Sequence, residues 1–255
     1  MRGRSRSSSI PTKRFSFSRR LAQNTAPWSV RRAMAELERC GSRRNVAGMA
    51  RFGIRPKKVF GVSKPMLDEI ARAIGKNHEL GIRLWDTGNH DGRLLGMLIS
   101  ESKRVTGKQM ESWVKAFDNW DVCDATCCHL FAGAEPAWEK ALQWTRRKNE
   151  FEKRAGFAMV AYLAVHDKVA EDKRFAPCLK AIEREAWDDR NFVRKAVNWA
   201  LRNIGKRNKR LNRAAMACGE RIRQAGTRAG RWIAADALRE LKSDAVQTRL
   251  KRKNP

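Results

Sequence analysis

Apolar residues recur along this chain at three- and four-residue intervals almost throughout, and no segment alternates over a strand length. That period belongs to amphipathic helices. In "SKPMLDEIARAIGKN", Pro65 suits the first helical turn, Asp68 and Glu69 favour its positive end, and Met66, Ile70 and Ile74 form an apolar stripe. Thr106 with Gln109 three residues later has the form of a capping box ahead of "MESWVKAF". The same pattern predicts helices over 35–50, 79–86, 90–103, 107–118, 120–132, 136–147, 150–166, 173–186, 190–205, 208–224 and 228–241, joined by short links, with no sheet.

Two of these helices read as copies. "EFEKRAGFAMVAYL" and "NFVRKAVNWALRNI" share an aromatic, a basic residue three later and then Ala, so that Phe151, Arg154 and Ala155 recur as Phe192, Lys195 and Ala196. The 41-residue offset falls in the range of two-helix units that must stack on a neighbour to bury their apolar faces. The expected fold is all-α, an α-solenoid of HEAT-like (armadillo-type) two-helix repeats with a basic concave face; a compact irregular helical bundle is the alternative that periodicity leaves open.

Charge then narrows the partner. Among 255 residues Lys and Arg outnumber Asp and Glu by 55 to 27, a net +28 with a pI near 10.9. This excess exceeds what solubility needs and points to a polyanion. Residues 1–32 hold nine Lys or Arg and no acid, and residues 202–255 hold sixteen against four acids. The opening Arg/Ser-rich stretch cannot form a packed core and is expected to be a disordered extension over 1–32, with Met34 beginning the first folded pattern. A folded domain over 33–242 and a frayed basic tail over 243–255 complete the expected organisation. No apolar run approaches the ~20 residues that span a bilayer, and the N-terminus lacks a secretory apolar region. The chain therefore reads as soluble and intracellular, without a membrane partner. Six irregularly spaced cysteines read as reduced thiols. Cys123, Cys127, Cys128 and His129 have no second Cys/His pair downstream, so they read as buried small groups and not as a metal site.

One stretch stands out within the helical pattern. "FDNWDVCDATCCHL" places Trp120, Asp121 and Asp124 together on a helix, with Asp124 one turn after Trp120. A core Trp flanked by solvated aspartates is the plain reading. An acid on a face meant for phosphates, however, repels its ligand and calls for a reason. Arg154 and Trp199 sit at neighbouring turns of the two repeat-like helices and invite the same weighing against solvated charge and core packing.

The ordered motifs "MARF…GVSKPMLDEIAR", "LWD", "NWDVCD", "EKRAGFAMVAYL" and "FVRKAVNWALRNIGK", spanning about residues 33–225, resemble the DNA alkylation repair family of AlkD-like, HEAT-like-repeat DNA glycosylases. The resemblance implies an all-helical solenoid that wraps duplex DNA and excises purines alkylated at N3 or N7. It places the family's W-D-x-x-D motif on Trp120, Asp121 and Asp124, with Asp124 the catalytic carboxylate, its Q/K-R-A element on Arg154, and a further catalytic Trp on Trp199. Lys195, Arg202, Lys206, Arg207 and Phe52 join Arg154 as expected DNA contacts. Where the family often has a second Trp this chain has Asn119, and where it has a Tyr this chain has Phe52.

The implied chemistry suits these residue types. A purine alkylated at N3 or N7 is cationic and leaves without a general acid, so the carboxylate has to stabilise an oxocarbenium-like sugar and position water. Trp120 and Trp199 would flank the sugar with electron-rich faces, and Arg154 would hold a phosphate. The expected partner is duplex DNA containing alkylated bases, met by a monomer without metal or cofactor in the cytoplasm, on the nucleoid if the source is a bacterium. Two rivals are a non-catalytic protein of the same fold binding damaged or branched DNA, and a HEAT-like protein scaffold with a basic surface.

Overall fold

The computed structural model describes residues 26–253. Among them every regular element is helical, in two compact units. The first unit reaches to Phe52 and then covers Pro56–Ser100. It contains α1 (Val30–Arg39), α2 (Arg43–Arg51), α3 (Lys64–Ile74), α4 (His78–Trp85) and α5 (His90–Ile99). Leu37, Leu67, Ile70, Leu80, Leu84 and Leu95 fill its core.

A single helix expected over 35–50 is in fact two, α1 and α2. The break falls at Ser42, whose backbone N–H donates to the Phe60 carbonyl at 2.8 Å and whose hydroxyl caps α2 by accepting from Asn45 N. The same turn is tied down from the other side by Asp91. Its buried carboxylate accepts from the backbone N–H groups of Phe60, Gly61 and Val62 at 2.7, 3.1 and 2.8 Å. In α3 the buried stripe runs through Leu67 and Ile70, while Met66 and Ile74 are only half-buried.

The second unit comprises Gly53–Arg55 and everything from Glu101 onward. Its helices are α6 (Gly107–Lys115), α7 (Trp120–His129), α8 (Ala137–Trp144), α9 (Glu150–His166), α10 (Phe175–Glu185), α11 (Asn191–Gly205), α12 (Lys209–Gln224), α13 (Arg228–Leu241) and α14 (Asp244–Lys253). Thr106 caps α6 as expected, accepting from Gln109 N at 3.1 Å. Gln109 Nε2, at the far end of the same residue, is buried without a hydrogen-bond partner.

α9 is the central helix of this unit. Residues 152–161 are buried without a break, and α7, α8 and α11 all pack on it. A helix surrounded in this way has no polar stripe to expose. Gly156 permits the closest approach, because a Cβ there would lie 2.6 Å from Thr145 N and 2.8 Å from the Ala141 carbonyl oxygen. Beside it Phe131 gathers Trp113, Phe117 and Trp144 at ring-centroid distances of 6.1, 6.3 and 5.9 Å.

The repeat inferred from the sequence is visible as physical contact. Phe151 and Phe192, equivalent positions of α9 and α11, bring their rings to 5.4 Å. Cross-links then recur at nearly the same separation: Asn203 Nδ2 donates to the Ala161 carbonyl, 42 residues back, and Asn198 Nδ2 donates to Asp236, 38 residues on.

At the two ends the structure departs from expectation. The first helix begins at Val30, capped by Ser29, so the part of the Arg/Ser-rich extension that overlaps 26–32 is ordered; residues 1–25 lie outside the described residues. The basic tail expected to fray is the helix α14, because Val246 and Leu250 are buried. Gln247 Nε2 also reaches Asn212 Oδ1 at 3.2 Å and the Leu241 carbonyl at 2.6 Å.

Candidate functional site

Asn119 ends the link before α7 as its N-cap, with Oδ1 accepting from Asp121 N at 3.0 Å and Val122 N at 3.1 Å. Where the related pattern often carries an aromatic, this chain therefore uses a side chain that starts the helix. That start fixes Trp120, half-buried, in the first turn and Asp124 one turn later.

Asp124 meets Arg154 in a two-pronged ion pair. Arg154 Nε donates to Asp124 Oδ1 at 2.8 Å and Nη2 donates to Oδ2 at 2.6 Å. Arg154 Nη1 donates to the Phe192 carbonyl at 2.7 Å, so one guanidinium ties α7, α9 and α11 together. Only 8% of the Arg154 side chain is exposed, against 20% for Asp124. The carboxylate thus shows one edge outward while its partner lies behind it.

Burial pushes the Asp124 carboxyl up; Arg154 pulls it back down, Asp121 adds a small repulsion, and the net position is above the ordinary aspartate range. Burial also works against the charge on Arg154, but Asp124 more than restores it. The asymmetry has a physical basis: a delocalised guanidinium is weakly hydrated and loses less on leaving water than a carboxylate does.

Thiols surround this pair without competing in chemistry. Cys123 Sγ lies 3.5 Å from the Phe151 carbonyl oxygen. Burial pushes Cys128 up to about 12, with the Asp124 charge adding to it, and Cys127 well above its usual value. Thiols held protonated at neutral pH, as at Cys127 and Cys128, are poor nucleophiles, and all six cysteines are free of disulfides.

The remaining expected residues separate into three groups. Trp199 is half-buried on α11, two turns after Phe192, and Lys195 on the same helix is exposed. Arg202 and Lys206 are committed to α13: Arg202 Nη1 lies 2.5 Å and Lys206 Nζ 2.7 Å from the two oxygens of Glu240. Arg207 donates to the carbonyls of Ala164, Lys168 and Ala170 at 3.1, 3.3 and 2.7 Å, closing the link after α9. Phe52 belongs to the first unit and is 69% exposed. The structure therefore brings Asp124 and Arg154 together and gives Arg154, Arg202, Lys206 and Arg207 internal partners where phosphate contacts were expected.

Sequence reasoning missed Phe192 as part of the site. Its carbonyl anchors Arg154, and its ring lies 6.0 Å from the Arg154 guanidinium carbon. Gly53 at φ +76° leaves space for that ring, since a Cβ there would come within 3.0 Å of Phe192 Cζ. The equivalence of Phe151 and Phe192 in the repeat carries the signal for it, since periodicity sets the two rings side by side.

A carboxylate so held is fixed in direction and keeps a lone pair on each oxygen for an outside group. It can stabilise a developing cation beside it and orient a water molecule.

Comparison with known proteins bears on this arrangement. No curated protein sequence matches the chain. A solved structure described as a new family of proteins related to the HEAT-like repeat DNA glycosylases, with affinity for branched DNA structures, superposes with a TM-score of 0.69 at 21% identity. It covers 76% of this chain and 83% of its own. At that identity it shows the fold, an all-helical HEAT-like repeat architecture. A designed armadillo repeat protein in complex with a (KR)4 peptide covers 92% of this chain and 96% of its own at 13% identity, but its TM-score of 0.33 carries no argument. The family model for the DNA alkylation repair enzyme matches residues 33–241, with the Asp124–Arg154 pair inside the matched span. The chain belongs to the DNA alkylation repair enzyme family.

Proposed function

We propose that this protein is a DNA N-glycosylase acting as a monomer on duplex DNA, hydrolysing the glycosidic bond of purines made cationic by alkylation at N3 or N7. The observation that carries this reading is the Asp124 carboxylate, aligned by two hydrogen bonds from a buried Arg154 and open along one edge. In the proposed reaction the bond between the sugar C1′ and the base nitrogen breaks with its electron pair moving to the base, which departs neutral. Asp124 stabilises the cationic sugar left behind, water adds through oxygen to C1′, and its proton passes to Asp124 or solvent. An abasic site and a free alkylated purine result. The leaving group is already charged, so no acid is needed to expel it.

Arg154 acts here as a positioning residue that holds the direction and ionisation of Asp124. The net +28 supports a polyanionic substrate. Trp120 and Trp199 would border the sugar, Trp120 from the turn preceding Asp124 and Trp199 from α11. Among the described residues no helix is long and apolar enough to cross a membrane, which suits work on DNA in the cytoplasm.

The test is excision from a duplex oligonucleotide carrying one N7-methylguanine, with wild type and Asp124→Asn compared by strand cleavage at abasic sites. Wild type should cleave, and the variant should lose about 10²-fold or more in rate while binding DNA equally or more tightly, because a negative charge leaves the site. Weakened binding would sink the placement of Asp124 against DNA. Absence of excision in both, with salt-sensitive binding retained, would direct the same test to N3-methyladenine. Failure there too would make the chain a non-catalytic DNA binder.

A further inference from the structure

We propose that the exposed cations gathered where the α11–α12 link meets α14 form a second phosphate-binding surface, which grips the backbone of a fully paired duplex most of a helical turn away from Asp124; this rests on the reading of the protein as one that acts on DNA. Two acid-free runs of the chain, "KRNKRLNR" over 206–213 and "RLKR" over 249–252, come together there. Arg249 Nη2 donates to the Lys206 carbonyl at 3.1 Å, across 43 residues of chain. Lys209, Arg210, Arg213, Arg249, Lys251 and Arg252 are exposed, whereas Leu211 and Leu250, the only apolar residues of the two runs, are buried. α14 lies beyond residue 241, where the family match ends, so this surface is in part an addition to the matched span.

The acids around these cations do not neutralise them. Asp172 Oδ1 accepts from Asn208 Nδ2 at 2.7 Å, and Glu240 is held by Arg202 and Lys206. Glu171 is exposed but pairs with Lys173 at 2.7 Å, and Asp244 sits in the first turn of α14, at the opposite end from Lys251 and Arg252. The helix dipole accounts for the cations at the C-terminal end of α14. It works against Lys209 and Arg210, which occupy the first turn of α12 with no acid beside them. Like charges crowded in this way repel one another, and an anion among them relieves that cost. The exposed side chains of the two runs offer no apolar anchor of the kind that fills the core of a protein–protein contact, so a phosphate backbone fits them better than an acidic protein surface.

The packing order sets the distance from Asp124. α7 packs on α9, α9 on α11 and α11 on α13, and both α12 and α14 pack on α13. Three interhelical steps of about 9 Å place α13 roughly 27 Å from α7, which is about eight base pairs at ~3.4 Å each. A duplex that meets Asp124 therefore reaches the second surface only if it extends at least that far to one side.

The experiment compares wild type with Arg210→Gln/Arg213→Gln/Lys251→Gln, reading affinity for a duplex of about 30 base pairs by fluorescence anisotropy at several salt concentrations. The slope of log affinity against log salt should fall by about 2 to 3, because each phosphate contact contributes about 0.9. Lys108→Gln/Lys115→Gln/Lys180→Gln removes the same charge from other exposed positions and should change the slope by less than about 1. All the substituted side chains are exposed, so melting temperatures should match wild type. With N7-methylguanine at the centre, the first variant should excise like wild type from a duplex of about 10 base pairs, which ends short of the surface, and fall about tenfold behind on the longer one. An unchanged slope, an equal fall in both triple variants, or an equal loss of excision at both lengths overturns the assignment; with an unchanged slope, an acidic protein becomes the partner to seek. If wild type binds DNA but excises from neither duplex, the glycosylase reading fails while the slope still decides this one.

Discussion

At the scale of single residues, the site is an electrostatic compromise between burial and pairing. Asp124 is driven up by loss of water and pulled back by Arg154, so its ionisation depends on the guanidinium. Replacing Arg154 by Gln removes the pull and leaves the burial. The Asp124 carboxyl then takes up its proton at a higher pH, and the acid limb of the excision profile should shift upward relative to wild type. A purely structural role for Arg154 would lower the rate at all pH values without moving the limb. The same change leaves a largely buried carboxylate without its partner and should destabilise the fold by about 3 kcal/mol, read from urea unfolding. The linkage sign for Asp124 follows from its raised position. The folded state holds this proton more tightly than the unfolded chain does, so the residue favours folding most at acid pH. That contribution is lost as pH rises through the folded value. At neutral pH the charged site therefore carries a stability cost, as functional carboxylates often do.

At the scale of elements, what positions the site is where helices start and what ties their ends. Asn119 sets the first turn of α7, and Asn119→Ala should lower stability by about 1 kcal/mol, with a small shift in melting temperature as the check. Glu111 on α6 performs a different task by holding α8 and the link after it. It accepts from Trp144 Nε1 at 3.0 Å, Lys140 Nζ at 3.0 Å and Arg147 Nη2 at 2.8 Å. Burial pushes its carboxyl up, but the Trp144, Lys140 and Arg147 partners together bring it below the ordinary glutamate range. Its stabilisation is therefore present above the unfolded value and lost as pH falls through the folded one. Glu111→Gln should cost about 1 kcal/mol at pH 7. The difference from wild type should vanish in acid, which stability curves at several pH values would show.

At the scale of the whole molecule, the excess of positive charge predicts binding that is strongly dependent on salt, but the cations do not contribute equally. Lys195 is exposed, whereas Arg207 is engaged with three carbonyls. Lys195→Ala should reduce the slope of log affinity against log salt by about 0.9 if it meets one phosphate. Arg207→Ala should leave that slope unchanged and lower stability instead, by about 2 kcal/mol; titrations at several salt concentrations together with unfolding curves would separate the two. This division was not legible in the chain, because Arg202, Lys206 and Arg207 look alike in sequence and differ only in what the fold sets against them. Much else was legible. The 3.6-residue period fixed the helical class, and the copy of Phe151 at Phe192 exposed the stacking of α9 on α11, since both properties are carried by residues close in sequence or by direct repetition. The tail over 244–253 departs from expectation for the converse reason: Val246 and Leu250 are too few along the chain to suggest burial, which the fold alone supplies. Composition and local pattern thus determined the helices and the repeat and set the expectation of a polyanionic partner, while the resemblance to the family drew attention to the segment holding Asp124. Tertiary structure alone decided that Arg154 turns inward to grip Asp124, because a guanidinium chooses between solvent, phosphate and carboxylate according to what lies within about 3 Å of it in space, and a residue thirty positions away is out of view along the chain.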